Sequence, residues 1–169
     1  MIFAIDPGPQ QSAALVWNGS VVFKPEILAN SVLLERLRSG SPMGADSLAV
    51  EMIACYGMPV GAETFETCLV IGRILEIWER RSLPYRLVYR RDVKMHLCGT
   101  MKAKDPHIRQ ALIDRFGKVG TKKTPGALFG VSSHLWAALG VAVTAKETRA
   151  TLLQPSAPPT KHPTHQGIN

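Results

Sequence analysis

Three side chains in this sequence have the chemistry to handle a hard divalent cation and a phosphodiester: Asp6, Glu51 and His134. Mg2+ and Mn2+ prefer oxygen donors, and ions used in phosphoryl chemistry keep few protein ligands so that water and phosphate retain access. Two such ions about 4 Å apart activate an attacking water and stabilise the leaving 3′ oxygen. Each residue also has an ordinary structural alternative. An Asp ahead of Pro7-Gly8 is a common turn residue, and a His followed by Leu135, Trp136, Ala137, Ala138 and Leu139 is often a satisfied core or boundary histidine. Glu51 is harder to account for that way. It follows Leu48-Ala49-Val50, and a carboxylate buried there without a partner costs on the order of several kcal/mol.

The elements that would position these groups can be read from the pattern. Residues 2–6 form a short apolar run ending on Asp6 and a Pro-Gly break, which predicts a buried strand delivering the carboxylate to its C-terminal edge. Residues 12–17 and 20–23 flank Asn18-Gly19, the dipeptide of a two-residue type I′ hairpin, so the chain is expected to open with three strands. Ile27 to Leu37 reads as a crossover helix stopped by Ser39-Gly40-Ser41-Pro42. Residues 47–53 are a second buried strand carrying a carboxylate. If it lies parallel and next to the first, a right-handed crossover brings Asp6 and Glu51 to one edge of the sheet. Glu63 to Arg80 is a long helix with Phe65, Leu69, Ile71, Ile74, Leu75 and Trp78 on its apolar face, and Gly72 suggests close packing. A strand over 85–89, a basic segment over 90–104, a helix from Asp105 to Phe116, a basic loop over 118–126 and a last helix from Ser132 to Lys146 complete the domain, 1–150. Residues 151–169, with Pro155, Pro158, Pro159 and Pro163, read as a disordered tail.

Net charge points to a polyanion. The 169-residue chain carries +7, and between Arg80 and Lys123 thirteen Lys or Arg face three Asp, which leaves the rest slightly acidic. Tyr85, Arg86, Tyr89, Arg90 and Arg91 interleave aromatic and guanidinium groups in a way that suits nucleic acid, although a basic run is also often a solvated face. No apolar run approaches the roughly 20 residues of a membrane span, and no leader pattern is seen at the N-terminus. A cytoplasmic protein is expected, with Cys55, Cys68 and Cys98 as reduced thiols, since they lack paired spacing.

In order and context these segments resemble the RuvC-type Holliday-junction resolvases of the ribonuclease H-like superfamily, from residue 2 to about 145. Ile5-Asp6-Pro7-Gly8 matches the end of the family's first strand, Val50-Glu51 its second acidic strand, Leu69 to Leu75 its following helix, and Tyr89, Val93, Lys94, Gly99, Ala103 and Lys104 its basic stretch. His134 and the Ala-Ala-Leu-Gly-Val-Ala run after it match the last helix, with one departure: where the family has a second carboxylate three residues on, this chain has Ala137.

The resemblance implies an α/β ribonuclease H-like fold, a mixed five-stranded sheet of three antiparallel and two parallel strands with helices on both faces. It implies a homodimeric endonuclease of phage or prophage type acting on four-way DNA junctions. Asp6, Glu51 and His134 would hold two Mg2+ or Mn2+ ions. Lys94, Lys104, Arg90 and Arg91 would hold DNA phosphates, and Tyr56 would wedge the junction. Ala137 leaves two alternatives open: a junction-binding protein without cleavage, or another nuclease on the same fold.

Overall fold

The computed structural model describes residues 1–148, so the Pro-rich tail and the expected boundary at 150 lie outside the described residues. Strand β1 (Ile2–Asp6) is the central strand of a five-stranded sheet of order β3-β2-β1-β4-β5. It pairs antiparallel with β2 (Gln11–Trp17) and parallel with β4 (Ser47–Met52); β2 pairs antiparallel with β3 (Val22–Ala29), and β4 parallel with β5 (Tyr85–Tyr89). This is the expected mixed sheet.

Both faces are covered, as the continuous apolar runs of β1 and β4 require. Phe3, Ile5, Leu48 and Val50 point to one face, where they pack with Leu33, Leu34 and Leu37 of α1 (Asn30–Ser39) and with Ile71, Ile74 and Trp78 of α2 (Ala62–Glu79). Ala4, Ala49 and Val88 point to the other. There α5 (Leu135–Glu147) lies against the sheet, buried on nearly every side, with Val93 of α3 (Arg90–Cys98) and Ile108 and Leu112 of α4 (Asp105–Phe116) completing the layer. The alanines of the strands admit this central helix. Among the described residues no helix is long and apolar enough to cross a membrane.

The structure corrects several expectations. Asn18-Gly19 is not a two-residue turn: Trp17 pairs with Val22, only Gly19 of the dipeptide has positive φ (+108°), and Asn18 Oδ1 accepts from Ser20 N (2.9 Å) and Val21 N (2.8 Å). The side chain caps a four-residue loop instead. The crossover helix begins at Asn30, not Ile27, because β3 continues past Pro25, which an edge strand tolerates. Ile27 and Leu28 pair with Ala13 and Ser12. On α2, Phe65 and Leu69 are 60% and 70% exposed, and a side chain at Gly72 would meet open space. The buried face is formed by Thr67, Val70, Ile71, Ile74, Ile77 and Trp78. The basic segment is helix α3 followed by a short turn, and the 118–126 loop is closed by a bridge between Gly120 and Pro125.

Candidate metal and nucleic-acid site

Asp6 and Glu51 are neighbours because of the register of two parallel strands. Ile5 is paired with Val50, and one residue further along each strand sets Asp6 beside Glu51. Alternation sends both side chains to the face of Ala4 and Ala49, where α5 begins. The turn after Asp6 is fixed from two directions. A Cβ on Gly8 would lie 2.6 Å from the Gln11 carbonyl oxygen, so the chain reverses there only with glycine. The buried Asn30 amide donates to the carbonyls of Gly8 (2.9 Å) and Pro9 (3.0 Å) and accepts from Ser12 Oγ (2.7 Å). That small network ties the Asp6 turn to the start of α1.

His134 is not within the last helix. It stands at its N-cap, after Ser133 in a left-handed conformation (φ +46°), and α5 begins at Leu135. The imidazole is therefore 73% exposed, not buried as a core histidine, and its Nδ1 lies 3.5 Å from Asp6 Oδ2.

Burial dominates the electrostatics of the pair. It raises Asp6 to about 6; Arg90 offsets part of this, Asp105 adds to it, and a hydrogen bond with Glu51 works the other way. Glu51 is pushed up to about 7, again by burial first and then by the charge of Asp6 beside it, with Arg90 opposing. Glu51 Oε2 is buried and, among the described residues, has no hydrogen-bond partner, the guanidinium of Arg90 standing 3.6 Å away. An orphaned carboxylate oxygen next to a second carboxylate fits a hard divalent cation. Asp6, Glu51 and His134 thus converge on one cleft. Among the described residues, however, no three His, Cys, Asp or Glu side chains form a ready-made cage. Ala137 lines the cleft and offers only a methyl group where the resemblance leads one to expect a carboxylate.

Asp6 and His134 form the border between two cavities. One, about 710 Å³, is lined by the Pro7–Gln11 turn, Ile27, Ala29 and Glu63. The other, about 750 Å³, is lined by Glu51, Arg90, Asp105, Arg109, Ser133 and Ala137, among others.

The expected DNA contacts divide. Arg90 lines the second cavity. Arg91 lies between two rings, 5.7 Å from Tyr56 and 5.8 Å from Tyr89, and so fastens the loop after β4 to α3. Tyr56 is exposed, in a left-handed conformation (φ +46°), beside a small cavity that also touches Asp6 and Glu51. Lys94 lies on α3 and exposed Lys104 caps α4; neither lines the cavities at Asp6. Arg86 belongs to the interior: only 6% exposed, it donates to the carbonyls of Ala145 and Thr148 and to Thr148 Oγ1, closing the C-terminus of α5.

Sequence reasoning misses Asp105, Arg109 and Glu63. Asp105 reads as a helix-start residue, yet its carboxylate pairs with Arg90. Arg109 stacks over Trp136 at 5.3 Å. The only signal for either is position on the helix that follows the basic segment, which does not say what a side chain faces.

No family model matches the sequence, and no curated protein matches it. Nineteen solved chains match in structure. The Thermus thermophilus RuvC structure aligns with a TM-score of 0.63 at 20% identity, over 90% of this chain and 99% of that one. T. thermophilus RuvC in complex with Holliday junction substrate aligns with a TM-score of 0.61 at 18% identity, over 85% of this chain and 90% of that one. The likeness shows the fold: a RuvC-like, ribonuclease H-like α/β domain.

Proposed function

We propose that this chain is a RuvC-type endonuclease that hydrolyses phosphodiester bonds in branched DNA, with Mg2+ or Mn2+ held at Asp6 and Glu51. The observation that carries the reading is the pairing of two buried carboxylates on adjacent parallel strands, one with an orphaned oxygen, at an open cleft beside an exposed imidazole. A divalent cation held there supplies a Lewis acid for the phosphoryl oxygens and the leaving oxygen.

The chain's own residues do the rest. Asp6 and Glu51 are held by the register of β1 and β4, so these two residues would receive a cation without rearranging. His134, with its ring in solvent and one nitrogen near Asp6, accepts the proton of the attacking water, or serves as a further ligand. Arg90, Arg91, Lys94 and Lys104 bind phosphates in a salt-dependent, sequence-neutral manner, and Tyr56 packs against bases at the branch. Exposed Phe65 and Leu69 on α2 support a homodimer, which presents two sites to the two equivalent strands of a four-way junction. Such an enzyme acts in the cytoplasm, in recombination or repair.

A second reading rests on Ala137: with one carboxylate fewer, the same surface would bind junctions without cutting them. One experiment separates the two. A labelled synthetic four-way junction is incubated with wild type or Asp6→Asn in Mg2+ or Mn2+. Paired nicks by wild type that vanish in Asp6→Asn support the nuclease; a gel shift with no nicking in either metal leaves the binding protein.

A further inference from the structure

The cavity on the Glu51 side of Asp6 changes character along its length. Its charged groups gather at one end, where Glu51 faces Arg90 and Arg90 pairs with Asp105, the first residue of α4. From there the cavity follows the helix. Pro106, Arg109 and Ile113, spaced by three and four residues, share the face of α4 turned to it. At 1.5 Å per residue, Ile113 lies about 12 Å along the axis from Asp105. Trp136 of α5 lines the same stretch. One end is thus ionic and the other mainly apolar, the same division that a nucleotide makes between its phosphate and its base.

Arg109 crosses the apolar end. Its guanidinium carbon is 5.3 Å from the centre of the Trp136 ring. Trp136 is 8% exposed and packed in the core, whereas Arg109 is exposed. Asp105, one turn before Arg109 on the same helix, is engaged by Arg90, and among the described residues Arg109 has no ion-pair partner. The ring holds one side of a planar cation by cation–π attraction, and the cation's remaining surface is open. A flat cationic group in an apolar setting suits the face of a nucleobase. Bases stacked in a duplex offer their edges in the grooves; a face becomes available where a base leaves the stack.

We propose, on the reading of this chain as a branched-DNA nuclease, that Arg109 is a base-stacking residue: a nucleotide beside the phosphate held at Asp6 and Glu51 turns its base onto the guanidinium. Trp136 is the positioning residue that carries Arg109.

The test is binding of a labelled four-way junction in Ca2+, with nicking in Mg2+ and Mn2+ measured in parallel. Each junction of a set carries an abasic residue at one of the nucleotides flanking the branch point. At one of these positions wild type binds roughly tenfold more weakly, in the range of one lost base stack. Arg109→Ala binds the intact junction roughly tenfold more weakly and is indifferent to that abasic residue. Arg109→Lys behaves like Arg109→Ala, because an ammonium has charge without a plane, while its salt dependence stays that of wild type. Trp136→Leu reduces the abasic penalty and Trp136→Phe restores it. No penalty at any position in wild type, an equal penalty in wild type and Arg109→Ala, or the full penalty in Arg109→Lys overturns the inference; nicking of the intact junction then leaves the nuclease standing. A wild-type protein that does not bind the junction overturns both. A penalty present in wild type and lost in Arg109→Ala, without nicking in either metal, supports the base site and removes the nuclease reading.

Discussion

His134 places Nδ1 3.5 Å from Asp6 Oδ2 while most of its ring remains in solvent. The contact joins the N-cap of α5 to the end of β1, two elements whose backbones are held by the core and not by this pair. His134→Ala is therefore expected to leave the melting temperature within about 2 °C, since a surface substitution of this kind stays within about 0.5 kcal/mol. Junction cleavage is predicted to fall on the order of a hundredfold, the lower range for loss of a general base. Normal cleavage by the variant would remove His134 from the site.

Asp6 and Glu51 give the metal-free protein a pH dependence of definite sign. Their folded values, about 6 and about 7, lie above the ordinary 3.8 and 4.5, so the folded state binds the more protons between these limits. Stability of the metal-free protein must then decrease as pH rises from about 4 to about 7, and stay low above that. Glu51→Gln should melt higher than wild type at pH 8 and lose this advantage near pH 4. Added Mg2+ should raise the wild-type melting temperature at pH 8 and not at pH 5, because a protonated carboxyl is a poor ligand. A flat profile in thermal melts without metal would contradict the burial of the pair.

Ala137 lines the same cavity as Glu51 and Asp105, one helical turn from His134. Ala137→Asp adds a donor at that wall and a negative charge in the first turn of α5, where the helix dipole favours it. Mn2+ affinity is predicted to increase at least tenfold by calorimetry. Unchanged affinity would mean that the position does not reach the ion.

Arg86 closes the C-terminus of α5 from the interior. Arg86→Met keeps the aliphatic stem but leaves the Ala145 and Thr148 carbonyls unpaired, at a cost of about 3 kcal/mol in urea unfolding. Junction affinity should be unaffected at temperatures where the variant is folded. A loss of affinity with full stability would restore Arg86 to the DNA-binding surface.

Phe65 and Leu69, one turn apart on α2 beside the open surface at Gly72, make an apolar stripe that is exposed among the described residues. Leu69→Asp is expected to convert a dimer to a monomer in sedimentation while leaving the circular dichroism spectrum unchanged. A wild-type protein that sediments as a monomer at micromolar concentration would refute this use of the stripe.

Asp6 and Glu51 are legible in the sequence because a carboxylate at the end of a buried apolar run is costly unless something there receives its charge, and sheet register then makes neighbours of the two. The order of the strands and α4, from Asp105 to Phe116, follows from periodicity and from Pro106 and Gly117. What periodicity does not carry is the difference between a face buried in the chain and one left for another surface; hence Phe65 and Leu69 read as core residues and stand exposed. Charge pattern likewise makes no distinction between Arg86, a structural cap, and Arg90, at the cleft on the same run of basic and aromatic residues. The Arg90 and Asp105 pair joins positions far apart in sequence, on two different helices, and nothing local marks it. His134 is legible through the resemblance, and its location at the cap follows from the left-handed Ser133 before it.

Asp6 is the common wall of two cavities, and the cavities are unlike. One side offers Gln10, Gln11, Ile27 and Glu63; the other offers Arg90, Arg109 and Asp105. In the proposed nuclease, a strand with its phosphate at Asp6 would have its upstream nucleotides in one setting and its downstream nucleotides in the other, so that the two unlike walls would set strand polarity before any base is read.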